Sequence, residues 1–416
     1  MRRGVLIVIA LVLAGCSGGD DAAEPTTPPT TAATTAAPAT TAPPATTAPP
    51  ATTTPPTTTE SPATTAAPRE YDFAAVEPII DAFVAAHGLN GAGLVVVEPG
   101  DGIVGEYYAG EFAPDRISFV ASASKMVTAG VLLHLADQGL LDVDQPIAEY
   151  VDWAAGHHPD LTVAQLVSNS SGLVGLLPQP TYAPYLCQFL PDREIEECAE
   201  AAWITGDDDA DIVEPDTEYR YGGVQWQIAG AVAEAVSGKP WAELIDEIYA
   251  QPCGLTSIGY NNHWVALGAS GFDYPTEFDG DLSLLTDTEN PHMEGGLYIT
   301  PTDYAELLLM QLRGGRCGDT QVLSQEALDM SHADRVGQVY GGTADGNNGY
   351  GFGWWVANDG SNRVSDPGAY GAVPWLDLDG GFGAYLVLEA DAGLGIALAN
   401  ELYEPVEAAI TAGRQR

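Results

Sequence analysis

Ser122 and Lys125 stand three residues apart in a chain that scarcely uses lysine. The sequence holds 14 Lys+Arg against 58 Asp+Glu, and Lys239 is its one other lysine. At the first turn of a helix, positions i and i+3 share a face. The spacing therefore puts the Lys125 amine beside the Ser122 hydroxyl. Serine becomes a nucleophile when a neighbour takes its proton. Lysine can take it when neutral, a form that apolar or cationic surroundings favour. The flanking Phe119, Val120, Ala121, Met126 and Val127 are apolar. Ser124 competes for the role, but it adjoins Lys125 and points to another face. Tyr221, in "EPDTEYRYGG", is a second candidate: a tyrosine just before a helix, with a cation beside it, can shuttle protons. Tyr219 faces the opposite way in an extended segment and is expected in the core.

Periodicity and turn residues give the elements that must hold these groups. "DFAAVEPIIDAFVAAHG" (72–88) predicts a helix with Asp72 as cap and Gly88 as stop. "AGLVVVEPGDGIVGEYYAGEF" predicts a β-hairpin around Pro-Gly-Asp-Gly. Helices are predicted over 122–139, from 161 to a stop at "SNSSGL", over 224–238, and over 300–315 with Pro301 just inside the start. "YGFGWWV", "GAYLVLEA" and "GLGIALAN" predict strands, and "EPVEAAITAG" a last short helix. Strands at both ends with helices between predict an α/β (α+β) domain over 70–416. Its antiparallel sheet is flanked by helices, with a helical subdomain inserted.

The rest of the chain bounds the setting. Arg2 and Arg3, a short apolar run and "LAGC" predict an export signal over 1–16, too short to span a membrane. The "LAGC" tetrad resembles a bacterial lipobox, which makes Cys16 the expected lipid attachment point. Residues 17–69, rich in Thr, Pro and Ala, predict an extended tether reaching on the order of 100 Å. That arrangement implies a lipoprotein on the outer face of the cytoplasmic membrane. A formal charge of −44 argues against nucleic-acid partners. The remaining cysteines, Cys187, Cys198, Cys253 and Cys317, suit two disulfides in an exported chain. Four cysteines allow three pairings, of which Cys187–Cys198 and Cys253–Cys317 are favoured. No metal site is expected: His157, His158 and His263 lack partners at metal-type spacing, and "GDDDADIVEPD" (206–216) lacks the glycine and terminal glutamate of a calcium loop. That acidic run reads as a solvated loop, and Trp354-Trp355 as core.

Ordered motifs over 72–412 resemble the serine β-lactamase/penicillin-binding-protein superfamily, in particular its class-C-like serine hydrolases and esterases. They are "FVASASKMVTA", "LTVAQLVSNSSGL", "PDTEYRYGG", "EGGLYITPTDYAELLLMQL", "YGFGWWV" and "DPGAYGAVPWLD". The resemblance implies Ser122 as nucleophile and Lys125 with Tyr221 as a proton-transfer pair that titrates as a unit. It implies an oxyanion hole from the backbone N–H groups of Ser122 and Ala369, and no cofactor. Two positions depart from the pattern. The asparagine of Tyr-x-Asn is replaced by Gly223, and the third motif, normally opening on Lys or His, is Asp366-Pro367-Gly368. Gly223, Asp366 and Gly368 are thus expected in the substrate pocket. An Asp366 facing it would repel a substrate carboxylate by roughly 4 kcal/mol at about 4 Å. The other orientation, toward solvent, selects nothing. The expected activity is acyl-enzyme hydrolysis of a small ester, amide or peptide. The alternatives are a β-lactamase or D-Ala-D-Ala carboxypeptidase, and a non-catalytic envelope binding protein on the same scaffold.

Overall fold

Gly91–Glu98 (β1) is buried along its whole length, so both faces of the strand must be covered. Side chains alternate across a strand, and here they divide between two cores. Val95 and Val97 face one core, with Val127, Leu308 and Tyr385. Leu94 and Val96 face another, with Phe83, Leu398, Leu402 and Val406. The structure, a computed structural model, describes residues 69–176, 183–204, 211–267 and 272–416. The chain divides into units 1–65 and 66–416. Cys16, the signal peptide, nearly all of the predicted tether and residues 206–210 of the acidic run lie outside the described residues.

β1 is the second strand of a seven-stranded antiparallel sheet. The other strands form in chain order. They are β2 (Gly102–Gly110), β3 (Ser118–Phe119), β4 (Ile258–Tyr260), β5 (Leu297–Ile299), β6 (Arg316–Cys317), β7 (Thr320–Gln321), β8 (Gly349–Tyr350), β9 (Trp355–Val356), β10 (Arg363–Ser365), β11 (Val373–Asp377) and β12 (Phe382–Val387). The large sheet runs β2-β1-β12-β11-β10-β9-β8. β3, β5 and β4 form a small sheet, and β6 and β7 a hairpin. Helices Glu77–His87 and Ala392–Arg414 cover one face, and Pro301–Leu312 packs on the other. The chain between β3 and β5 supplies Lys125–Asp137, Ile195–Trp203 and Gln225–Ser237, the expected helical insertion.

Several starts and stops follow the sequence. Gly88 and Gly238 close their helices in the left-handed conformation, at φ 64° and 67°. Thr162 and Gln165 form a capping box. Thr300 caps the 301–312 helix by accepting from Asp303 N–H, with Pro301 in its first turn. Asp72 is no helix cap. It accepts from Ala74 N–H in a turn, and the helix begins at Glu77.

The larger correction is "GLGIALAN". It is not a strand but the opening of a 23-residue helix, Ala392–Arg414, that also absorbs the predicted last helix. Asp391 caps it through Leu394 N–H, and Leu398, Leu402, Val406 and Ile410 repeat at four-residue spacing on the buried face. The motif "DPGAYGAVPWLD" divides between a loop and a strand. β10 ends at Ser365, residues 366–372 form a loop, and β11 starts at Val373. Both disulfides join the favoured cysteines: Cys187–Cys198 at a Cα separation of 5.4 Å, and Cys253–Cys317 at 4.8 Å. No helix among the described residues is long and apolar enough to cross a membrane.

Candidate active site

Ser122 sits not in an α-helix but in a 3-10 turn, Ala121–Ser124, that feeds the Lys125–Asp137 helix. With three residues per turn, positions i and i+3 eclipse. Lys125 Nζ therefore reaches Ser122 Oγ at 3.0 Å. Ala121 pays for this turn with a left-handed φ of 47°, a strain of roughly 1–2 kcal/mol. Neighbouring elements hold the turn. Tyr304 Oη donates to Ala123 O at 2.7 Å, and Tyr260 Oη to Ser124 O at 3.0 Å. Ser124 donates to Ala121 O and accepts from Leu297 N–H, so the competing serine is structural.

Tyr221 arrives from the other side. Lys125 Nζ donates to Tyr221 Oη at 3.2 Å and lies 4.5 Å from the centre of its ring. Asn169, in "SNSSGL", fixes this segment. Its carbonyl O accepts from Arg220 N–H, and its side-chain Oδ1 accepts from Gly222 N–H, Gln225 Nε2 and Trp226 Nε1. Ser122 and Tyr221 line a cavity of about 990 Å³, with Ala369 in its wall. Ala369 is set by a turn in which Gly368 N–H donates to Ala372 O and Gly371 N–H to Gly368 O. A side chain at Gly368 would stand 1.9 Å from Val120 O, so glycine there lets the loop lie against the nucleophile turn.

The substrate-pocket expectation for Gly223, Asp366 and Gly368 is corrected. All three are buried, and none lines the cavity. Asp366 faces neither substrate nor solvent. Its carboxyl turns under the start of the Lys125–Asp137 helix and accepts from Met126 N–H at 3.3 Å, as an acid at a helix N-terminus does. Its Oδ1 has no partner among the described residues. Burial pushes this carboxyl well above the usual range, against smaller opposing pulls from Lys125 and backbone N–H groups.

The neutral lysine expected from the apolar flanks meets polar neighbours instead. Burial lowers the Lys125 amine, while Tyr221, Glu294 and Asp366 together raise it above its ordinary value. Glu294 is the residue the sequence reading missed. Its Oε2 lies 3.2 Å from Lys125 Nζ, with the two side chains 2% and 0% exposed. Its backbone carbonyl accepts from the same amine at 3.1 Å. Its only prior sign was a carboxylate in an otherwise small and apolar stretch, "EGGLYI".

Other expectations divide. Tyr219 lines the cavity rather than the core. Trp354 is core, whereas Trp355 reaches the cavity with its ring centre 5.5 Å from that of Tyr221. Asp216 is not a solvated acid: it pairs with Arg335 at 2.7 Å and accepts from Ser170 and Gln165. His263 is buried, stacked on Phe119 and bonded to Tyr370 Oη, and burial lowers its pKa to about 3.

A family model described as Beta-lactamase matches residues 76–416. The chain belongs to the beta-lactamase family. It is similar to 6-aminohexanoate-dimer hydrolase of Paenarthrobacter ureafaciens, 25% identical over 296 residues, covering 67% of each chain. It is also similar to penicillin-binding protein 4 of Amycolatopsis lactamdurans, 25% identical over 273 residues, covering 61% of this chain and 68% of that one. Among solved structures, EstCE1, described as a hydrolase with promiscuous acyltransferase activity, shares the fold. Its TM-score is 0.63 at 18% identity, over 81% of this chain and 98% of that one. In this member of the beta-lactamase family, a buried glutamate stands beside Lys125, which in turn contacts Ser122 and Tyr221.

Proposed function

We propose that the protein is a lipid-anchored serine hydrolase, esterase-like, acting through an acyl-enzyme on neutral or cationic esters or amides in the cell envelope. Lys125 Nζ within 3.2 Å of both Ser122 Oγ and Tyr221 Oη, with the serine and tyrosine lining the cavity, carries this reading. In the mechanism it supports, Ser122 Oγ attacks the carbonyl carbon. Its proton passes to Tyr221 Oη as Tyr221 gives its own proton to the leaving oxygen or nitrogen. Burial keeps Tyr221 a neutral phenol, a form able to relay, while the Lys125 charge pulls the other way. The Lys125 ammonium steadies the oxygens between which the proton moves. The Ser122 and Ala369 N–H groups receive the oxyanion. Water then repeats the relay in reverse and releases the acid.

Substrate charge is read from the cavity wall. Among the described residues lining it there is no lysine or arginine, while Asp273, Asp345 and Asp391 stand exposed at its edge. Tyr219, Trp264 and Trp355 give aromatic surface. A substrate carboxylate would find no counter-ion there, which disfavours the β-lactamase and D,D-carboxypeptidase alternatives.

The test compares the exported domain and its Ser122→Ala variant. A fluorophosphonate probe should label the former and not the latter, and short-chain aryl esters should be turned over by the former alone. An aryl ester bearing a carboxylate should turn over about tenfold more slowly than its neutral isostere. Salt should narrow that gap, because the acids are exposed. Fast cephalosporin turnover would sink the substrate assignment. Absence of labelling and turnover would favour the non-catalytic binding protein.

A further inference from the structure

We propose that Glu294 is a positioning residue: its carboxylate keeps Lys125 an ammonium ion aimed at Ser122 and Tyr221, a role that rests on the serine-hydrolase reading above. The seat is built for a carboxylate. Oε2 lies 3.2 Å from Lys125 Nζ. Gly223 N–H donates to Oε1 at 3.1 Å and to Oε2 at 3.2 Å. His292 Nε2 stands 3.8 Å from Oε1. Trp264 Nε1 donates to His292 Nδ1, which leaves the proton of a neutral ring on Nε2, toward Glu294. A side chain at position 222 would stand 2.4 Å from Oε2, and Gly222 and Gly223 both hold left-handed φ, 67° and 87°. The glycine at 223, where the family pattern has asparagine, therefore belongs to a seat whose polar occupant enters from the 292–296 turn.

The charged and titratable groups facing Lys125 are few. They are Tyr221 from the 219–223 segment, Glu294 and behind it His292, and Asp366 from the loop after β10. Burial lowers His292 and raises Asp366. Burial raises Glu294 as well, with Lys125 and the Gly223 N–H pulling it back down. Among the described residues Glu294 is the acid in direct contact with the amine, at 3.2 Å, and so is its counter-charge. Lys125 has three N–H bonds and four oxygens within reach: Ser122 Oγ, Tyr221 Oη, and the carbonyl and carboxylate of Glu294. Without the carboxylate, burial would drive the amine to its neutral form.

Lys125 and Lys239 are the chain's only lysines, so carbon-13 labelling at lysine Cε gives two signals, which Lys239→Arg assigns. The Lys125 signal is expected to be that of an ammonium throughout the neutral range. Glu294→Gln, which keeps the shape and loses the charge, is expected to lower its titration midpoint by about one to three pH units. The alkaline fall in fluorophosphonate labelling of Ser122 should move the same way. A neutral-amine signal at pH 7 in the unmodified protein, or an unchanged midpoint in folded Glu294→Gln, overturns the proposal. If Glu294→Gln fails to fold, Glu294→Asp, which draws the charge back, is read by the same signal and should shift it less. A Glu294-dependent ammonium in a protein that never labels at Ser122 sinks the hydrolase reading and not the ion pair.

Discussion

Asp366 gives the site a pH dependence that an exposed acid would not. Its carboxyl is raised by burial, with Lys125 and backbone N–H groups offsetting part of the effect. Below the unfolded-state value near 4, the carboxyl is neutral folded and unfolded alike. As pH rises, the unfolded chain gains a charge that the folded protein refuses, and stability falls until the folded carboxyl ionises. Asp366→Asn keeps the acceptor for Met126 N–H and removes the titration. We expect its melting temperature to match the unmodified protein below pH 4 and to exceed it at pH 7. Equal melting temperatures at pH 7 would mean that the buried carboxyl carries no such penalty.

At the scale of elements, the loop after β10 and the nucleophile turn must touch. Gly368→Ala would put a methyl group 1.9 Å from Val120 O, so one backbone must move. A displacement of about 1 Å beside reacting atoms costs on the order of 100-fold in rate. We expect a loss of that size in labelling rate, with circular dichroism unchanged. Ser122, Lys125 and Tyr221 were legible because chemistry shows locally: two residues one turn apart, and a tyrosine at a helix start. Glu294 was not, because its meaning lies in a contact across 169 residues of chain. Asp366 misled because composition marks an acid and says nothing of the helix start that draws it inward. "GLGIALAN" misled because its glycines and alternating apolar residues mimic a strand, while the stripe that decides for a helix continues beyond it to Val406 and Ile410. The hairpin of β1 and β2 was legible because its turn and alternation lie within one short stretch.

Across the whole molecule, covalent links add to what packing supplies. Cys253–Cys317 closes a separation of 64 residues and Cys187–Cys198 one of 11. In the loop-entropy account these are worth about 4 and about 3 kcal/mol. We expect the Cys253→Ser/Cys317→Ser pair to lower the denaturation midpoint more than the Cys187→Ser/Cys198→Ser pair does. The first link joins the end of the helical insertion to the β6–β7 hairpin beyond the 301–312 helix, and the second stays inside the insertion.

The place of β1 between β2 and β12 also orders events in time. A ribosome adding about 5–20 residues per second makes β1 (Gly91–Glu98) long before β12 (Phe382–Val387). The interval is on the order of tens of seconds. Throughout it, the β1–β2 hairpin has an open edge and no covering helix from 392–414. The sheet cannot close until β12 and the 392–414 helix exist, so the inner edge of β1 stays without its native partner while residues 99–381 are made.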